Sequence, residues 1–290
     1  MHVIRLAVLL LCLLPVSCLY GQEFSGGFRA GLNFTTFDGD REMADDGTTL
    51  EQFNRTTGFH VGATFAYAVT DLFGFKADLM YSQKGGEVRY DGPSYFYLYA
   101  DAADTEPLRI VGELQSERDV LNSYIDVPVV TYYRVGPIEL EGGFSAGLLV
   151  NSRASGSATF TSPTLPDGRV IPSVSYNYDF NYFDDPIGFA AIIEPNQQQS
   201  NLPSVIDAYY NADDNTPLYR RLDFGLVGGA SFFLNNGLYL GLRYQYGLTD
   251  ATNGENDQRL TRTEGVTDRE YNTDDKDYNR SLQASIGFRF

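Results

Sequence analysis

The sequence predicts an all-β fold, an eight-stranded antiparallel transmembrane β-barrel with short periplasmic turns and long extracellular loops. Three observations carry that prediction. Eight blocks of roughly ten residues alternate apolar and polar positions with period two, and no later stretch sustains a helical period. Glycine recurs on the polar side of nearly every block, where a narrow lumen needs small residues. The connections alternate long and short, the pattern of extended outer loops and tight inner turns.

The elements follow in order. Arg5, the apolar run Leu6 to Leu14 and then Pro15, Ser17 and Gly21 have the layout of a secretory signal peptide, residues 1–21, leaving 22–290 as the barrel domain. A lipid anchor on Cys18 is the alternative, which Pro15 and Val16 fit poorly. Both cysteines leave with the signal, so disulfides and thiol-based metal or redox chemistry are excluded from the exported chain. Hydrophobic content of 43% with a mean hydropathy of −0.25 excludes a polytopic helical membrane protein. The exported chain carries 20 basic against 38 acidic residues, a balance of −18 that argues against a nucleic-acid partner.

The first block, about Gly26 to Phe37, sets Phe28, Ala30, Leu32 and Phe34 against Arg29, Gly31 and Asn33. The second, about Gly58 to Val69, sets Phe59, Val61, Ala63, Phe65 and Tyr67 against His60, Gly62 and Thr64. In the third, Phe73 to Lys84, Phe75, Ala77, Leu79 and Tyr81 oppose Lys76, Asp78, Met80 and Ser82. The fourth, Leu121 to Tyr133, opposes Ile125, Val127 and Val129 to Asp126 and Pro128; a proline lacks a ladder donor, so a bulge or strand end is expected there. The fifth runs from Ile138 to Val150, with Glu139 and Glu141 on its polar side, and the sixth from Leu222 to Phe233, with Asp223. The seventh, Leu238 to Leu248, carries Arg243, and the last closes on Ile286, Phe288 and Phe290 alternating with Gly287 and Arg289. Tyr67, Tyr81, Tyr133 and Tyr246 at block ends suit interface girdles. Asn235, Asn236 and Gly237 supply hairpin-turn chemistry. An even strand number puts both chain ends on the periplasmic side, and Ile286, Phe288 and Phe290 have the pattern of a C-terminal signal read by outer-membrane barrel assembly machinery.

Several segments together resemble the PorT-like outer-membrane β-barrel proteins of Gram-negative bacteria. They are Gly31-Leu32-Asn33-Phe34, Leu79-Met80-Tyr81-Ser82-Gln83-Lys84-Gly85, Tyr124-Ile125-Asp126-Val127-Pro128, Leu222-Asp223-Phe224-Gly225 and Tyr244-Gln245-Tyr246-Gly247-Leu248-Thr249. The resemblance implies an integral outer-membrane barrel, usually of eight strands, in a family whose founding member is linked to protein secretion; it implies no catalytic or ligand residues. The long stretch between the fifth and sixth blocks departs from the family pattern. Part of Ser157 to Phe183 alternates well enough to add a hairpin, so ten strands is the alternative.

Candidate chemistry is concentrated in the lumen row, where Arg29, Lys76, Arg243 and Arg289 stand against Asp78, Asp126, Glu139, Glu141 and Asp223. Charges persist in such an interior when paired. The two readings are a packed ionic plug and a narrow conductance. His60 is the one histidine of the exported chain, too few for a His-based metal site and unpromising for hydrolysis. The acidic runs Asp38, Asp40, Asp45, Asp46 and Asp274, Asp275, Asp277 lack the spacing of a calcium loop, so no metal and no cofactor is expected. Tyr176, Tyr178, Phe180, Tyr182 and Phe183, interleaved with Asn and Asp, suit a grip on a sugar or protein, or a strand pair standing above the membrane. The expected protein is a non-enzymatic outer-membrane scaffold. Beyond lipid and the assembly machinery, its expected partners are envelope or secretion proteins or surface polysaccharide. A small-solute porin and a barrel hydrolase are the alternatives.

Overall fold

The computed structural model describes residues 24–44, 46–99, 108–183, 190–193, 198–201, 218–235, 237–253, 259–260, 271–272 and 276–290. The expected signal peptide and Cys18 lie outside them. Eight strands form the barrel: β1 (Phe24–Asp38), β2 (Thr56–Ala68), β3 (Phe73–Tyr99), β4 (Leu108–Val135), β5 (Ile138–Thr164), β6 (Leu222–Phe233), β7 (Leu238–Asp250) and β8 (Tyr278–Arg289). All neighbours are antiparallel, and the ring runs β2-β1-β8-β7-β6-β5-β4-β3 and closes where β3 pairs with β2. Closure leaves no open edge in lipid, where an unpaired backbone group would find no water.

The alternation places apolar side chains outside and polar ones inside. Phe28 is 58% exposed while Arg29 beside it is 1% exposed, and the same contrast separates Leu242 (54%) from Arg243 (1%). Such inversion is what a lipid solvent imposes. Phe24, Phe65, Phe144, Leu226, Leu240 and Ile286 continue the outward apolar band. Tyr67 and Tyr133 lie on its inner rim and Tyr246 on its outer rim. Tyr81 reaches along the outer rim to donate to Ser123 Oγ at 2.7 Å.

The inner turns are as tight as expected. Gly136 takes φ +60° between β4 and β5, a conformation that glycine adopts without steric cost. The Asn235 carboxamide accepts from the backbone of Gly237 and Leu238 at 3.0 and 2.7 Å to fold the β6–β7 turn. The inner ends of β1 and β8 are tied together, since Gly26 and Phe290 exchange two backbone hydrogen bonds. Ile286, Phe288 and Phe290 lie on the lipid face.

Two expectations are corrected. Strands β3, β4 and β5 do not stop near Lys84, Leu121 and Val150. They continue to Tyr99, start at Leu108 and reach Thr164, so most of the presumed second loop is a hairpin. At about 3.3 Å per residue, 27 residues span about 90 Å, against the 9–11 that cross the hydrocarbon layer. Their outer halves therefore stand above the membrane as a sheet. The sequence concealed this because outside lipid the outward row turns polar, as at Glu87, Arg89 and Asp91, and the apolar row turns inward.

Strand number is as expected, eight. Val174–Asn181 does pair with β5, from Arg153↔Asn181 to Phe160↔Val174, but on the sheet above the membrane and outside the ring, which stays at eight. Glu51–Asn54 pairs with β3 on the other side of that sheet. The second correction is Pro128, which sits in mid-strand opposite Ser145 with no bulge at its own position. The ladder to β3 does lapse there, between Ala77↔Val129 and Met80↔Asp126, as a missing donor requires. The bulge lies further out, where the β4–β5 register shifts between Ser123 and Tyr124. There Leu149 turns inward beneath the outer sheet.

Because the outward row contacts hydrocarbon, Leu242→Arg near the middle of β7 should destabilise the barrel by about 2–4 kcal/mol. Urea unfolding in lipid vesicles measures this.

Candidate functional site

The lumen is filled by charged and hydroxyl side chains from all eight strands. At its periplasmic end Glu139 on β5 accepts from Lys76 at 2.9 Å and Arg134 at 3.1 Å and forms an ion pair with Arg289 at 3.0 Å. The Arg134 and Arg289 guanidinium planes lie over the Phe233 ring at 4.4 and 4.8 Å. Lys76 also pairs with Glu141. In the middle layer Arg243 on β7 donates through Nε to Glu141 at 2.6 Å and through NH1 to Asp78 at 2.8 Å, while Arg29 on β1 reaches Asp78 at 3.2 Å. Nearer the outer end Lys84 lies between Asp126 at 2.9 Å and Asp223 at 2.7 Å, its ammonium 4.7 Å from the centre of the Tyr124 ring.

All nine charged residues picked out from the polar row thus face the lumen. The structure divides them into an inner group, with Arg29, Lys76, Asp78, Glu139, Glu141, Arg243 and Arg289, and an outer group, with Asp126 and Asp223. The alternation had missed Lys84, the cation of the outer group. It lies in phase with Lys76, Asp78, Met80 and Ser82, and only its place at the presumed strand end hid it. Arg134 was missed for the same reason at the inner end of β4.

Apart from Arg134, whose side chain is 33% exposed, the paired groups are shielded from water, and the strength of such pairs depends on geometry more than on charge alone. Two carboxylates around one ammonium, or two guanidinium groups on one carboxylate, are held only while every partner stays in place. Many links join strands that do not pair with each other: β7 to β3 through Arg243 and Asp78, and β3 to β6 through Lys84 and Asp223. The network therefore braces the ring across its bore.

His60 on β2 lies between the two ionic groups. Its Nδ1 is 2.7 Å from Asn33 Oδ1 and its Nε2 is 3.0 Å from Ser285 Oγ. The Asn33 amide nitrogen donates to Ser82 Oγ at 3.0 Å and to the Gln83 carbonyl at 2.7 Å, which turns its oxygen toward the imidazole. This pattern assigns the proton to Nδ1 and leaves Nε2 to accept from the Ser285 hydroxyl. Arg29 donates to the same Ser285 oxygen at 2.9 Å. A hydroxyl, an imidazole and a carboxamide in this sequence have the connectivity of a nucleophile, base and orienting group. All three are buried, at 7%, 1% and 0% exposure.

A second seal lies above the ions. Phe37, Val120, Tyr124, Leu149, Leu218 and Tyr219 belong to an apolar cluster under the outer sheet. Tyr219 stacks on Phe37 with ring centres 6.1 Å apart and meets Tyr182 edge-on at 5.7 Å. Tyr182 itself accepts a hydrogen bond from buried Arg118 at 3.1 Å. Of the aromatic segment read either as a grip on a sugar or protein or as a strand pair above the membrane, Tyr182 is part of the seal, and Phe183 packs beside it with Arg221 over its ring at 4.9 Å. The side chains of Tyr176, Tyr178 and Phe180 lie outside the described residues.

Among the described residues no group of His, Cys, Asp and Glu is arranged to hold a metal. In the first acidic run Asp46 accepts from the backbone of Thr48 at 2.9 Å, and hydrogen bonds from Thr48 hold its carboxyl below the usual carboxylate range. Asp38 pairs with Arg280 at 2.7 Å. Asp45, Asp274 and Asp275 lie outside the described residues.

Residues 20–253 match the family described as outer membrane protein beta-barrel domain. The chain belongs to that family. It is an outer-membrane β-barrel protein, and the inverted burial, the closed ring and the lumen above are its family's architecture. No curated protein matches it in sequence. Among solved structures it is similar to Ail, the attachment invasion locus protein of Yersinia pestis, in complex with the heparin analogue sucrose octasulfate. Identity is 12%, 93% of this chain and 100% of that chain are covered, and the TM-score is 0.33. It is also similar to Neisserial surface protein A, at 11% identity over 92% of this chain and 98% of that chain, with a TM-score of 0.31. The outer membrane protease OmpT from Escherichia coli aligns at 7% identity over 95% and 99% of the two chains, with a TM-score of 0.33. Likenesses this distant transfer no residue role.

The outer ionic group gives a direct test. Lys84→Met leaves Asp126 and Asp223 buried without their cation and should cost about 3–5 kcal/mol in urea unfolding, while adding Asp126→Asn and Asp223→Asn should restore most of the loss.

Proposed function

We propose that this protein is a closed, non-enzymatic outer-membrane barrel of the PorT-like kind that anchors an extracellular sheet for contact with other envelope components, secretion proteins or surface polymers. The observation that carries this reading is the double closure of the bore, ionic within the membrane and aromatic above it. A route for solutes would have to break the Arg243–Asp78 and Lys84–Asp223 links and also part Phe37 from Tyr219. Meanwhile three strands invest about half their length outside the membrane, which a plain pore does not need.

Single-channel recording in planar bilayers should therefore show no steady openings from the purified protein. Steady, ohmic openings in the native sequence would replace the anchor reading with the porin one.

The Ser285, His60 and Asn33 geometry favours a second reading, a barrel hydrolase. Against it stands enclosure: a reacting carbonyl would have to lie within about 3 Å of both Ser285 Oγ and an oxyanion donor, and these atoms are already packed against Arg29 and Asn33. We expect no labelling of the folded protein by a fluorophosphonate probe. Labelling that disappears in Ser285→Ala would make the protein a serine hydrolase.

A further inference from the structure

The outer face of the extracellular sheet carries a cleft of about 750 Å3, a size suited to a small-molecule ligand. Its floor is two cross-strand rows. One runs Gln52, Arg89, Glu117, Ser157, each residue paired in register with the next across the Glu51–Asn54 strand, β3, β4 and β5. The other runs Asp91, Gln115, Thr159. Side chains facing the same way on paired strands stand about 5 Å apart, so the rows form a continuous polar grid. Thr48 and Thr49, from the segment after β1, form one wall.

The charged and amide groups of the grid pair with one another. Arg89 is held through Nε by Glu87 at 2.7 Å and through NH2 by Glu117 at 3.3 Å, and neither pair engages its NH1. Gln115 donates to Asp91 at 3.4 Å. Thr159 and Ser175 share a hydrogen bond of 2.9 Å at the far side. Arg89 and Glu117 remain 50% and 55% exposed as side chains, so both are open to a ligand.

The lining chemistry selects the ligand class. Hydroxyls and carboxamides both donate and accept, matching a molecule whose own groups do the same. One cation against two carboxylates, Asp91 and Glu117, disfavours phosphate and sulfate. Among the described lining residues Leu50 is the only aliphatic one and is buried, as is Tyr90, so these residues offer no anchor for an apolar ligand or a hydrophobic peptide. We infer that this cleft binds a neutral, hydroxyl-rich saccharide, with the Arg89 fork and the Glu117 carboxylate as its principal contacts. This assignment rests on the anchor reading and gives it a partner chemistry, surface polysaccharide.

The test is binding of the full-length protein in lipid nanodiscs to an array of immobilised neutral and acidic glycans, followed by titration calorimetry with the best soluble oligosaccharide. Neutral glycans should bind in preference to sulfated or phosphorylated ones. Arg89→Ala and Glu117→Gln should each weaken binding about tenfold or more, as loss of a hydrogen bond to a charged group does. Arg153→Ala, on the same face but paired with Asp179 outside the cleft, should bind as the native protein does. All variants lie outside the lipid-embedded ring and should keep its heat-modifiable migration on gels. Absence of binding across the array, preference for anionic glycans, or binding unchanged in Arg89→Ala would each overturn the assignment. None of these outcomes bears on conductance, so the anchor reading stands or falls separately.

Discussion

The rest of the structure depends on one constraint: in hydrocarbon, every backbone hydrogen bond must be made within the chain. A sheet meets it only by closing on itself, and closing with eight strands fixes a bore just wide enough for side chains. Everything inside then follows from packing polar groups into a space without bulk water. The charges of β1 and β3 to β8 are tolerable only as a mutually paired set, with His60, Asn33 and Ser285 filling the layer between the two ionic groups. Glycines supply the room. A methyl group at Gly31, for instance, would collide with the Ala284 carbonyl and the His60 ring.

The same constraint explains how much was legible in the sequence. Within lipid the two faces of a strand meet opposite solvents, so Phe28 and Arg29, or Leu242 and Arg243, declare their faces by type alone. Strands β6 and β7, which barely leave the membrane, could be bounded almost to the residue. Beyond the lipid the rule changes. Along β3 the row that faces outward switches from Leu79 and Tyr81 to Glu87, Arg89 and Asp91, and the apolar row continues inward as Val88 and Tyr90. A reading tuned to one solvent sees the pattern end where only its sign has reversed. That is why the hairpin of β3 and β4 looked like a loop and why Lys84, at the reversal, was passed over.

The partnership of His60 with Asn33 and Ser285 lay beyond any sequence reading. The three residues come from β2, β1 and β8, and only the register of the closed ring brings them together. Their separate neighbours show nothing unusual in type or spacing. The apolar seal was hidden for a related reason: Leu218 and Tyr219 lie late in a long connection, apart from its alternating segment, and they become core residues only because the outer sheet provides a wall for them.

The overshoot of β3, β4 and β5 also has a mechanical meaning. Apart from the local lapse at Pro128 and the register shifts of β4 and β5, the hydrogen-bonded ladder runs from the periplasmic turns to the outer end of the sheet with no hinge loop between. A pull on that outer end is directed along the strands, so it loads many ladder bonds in shear at once instead of peeling them one by one. Tension applied at the cell surface would thus be carried straight into the lipid-embedded ring, as in a tether that has no joint to slacken.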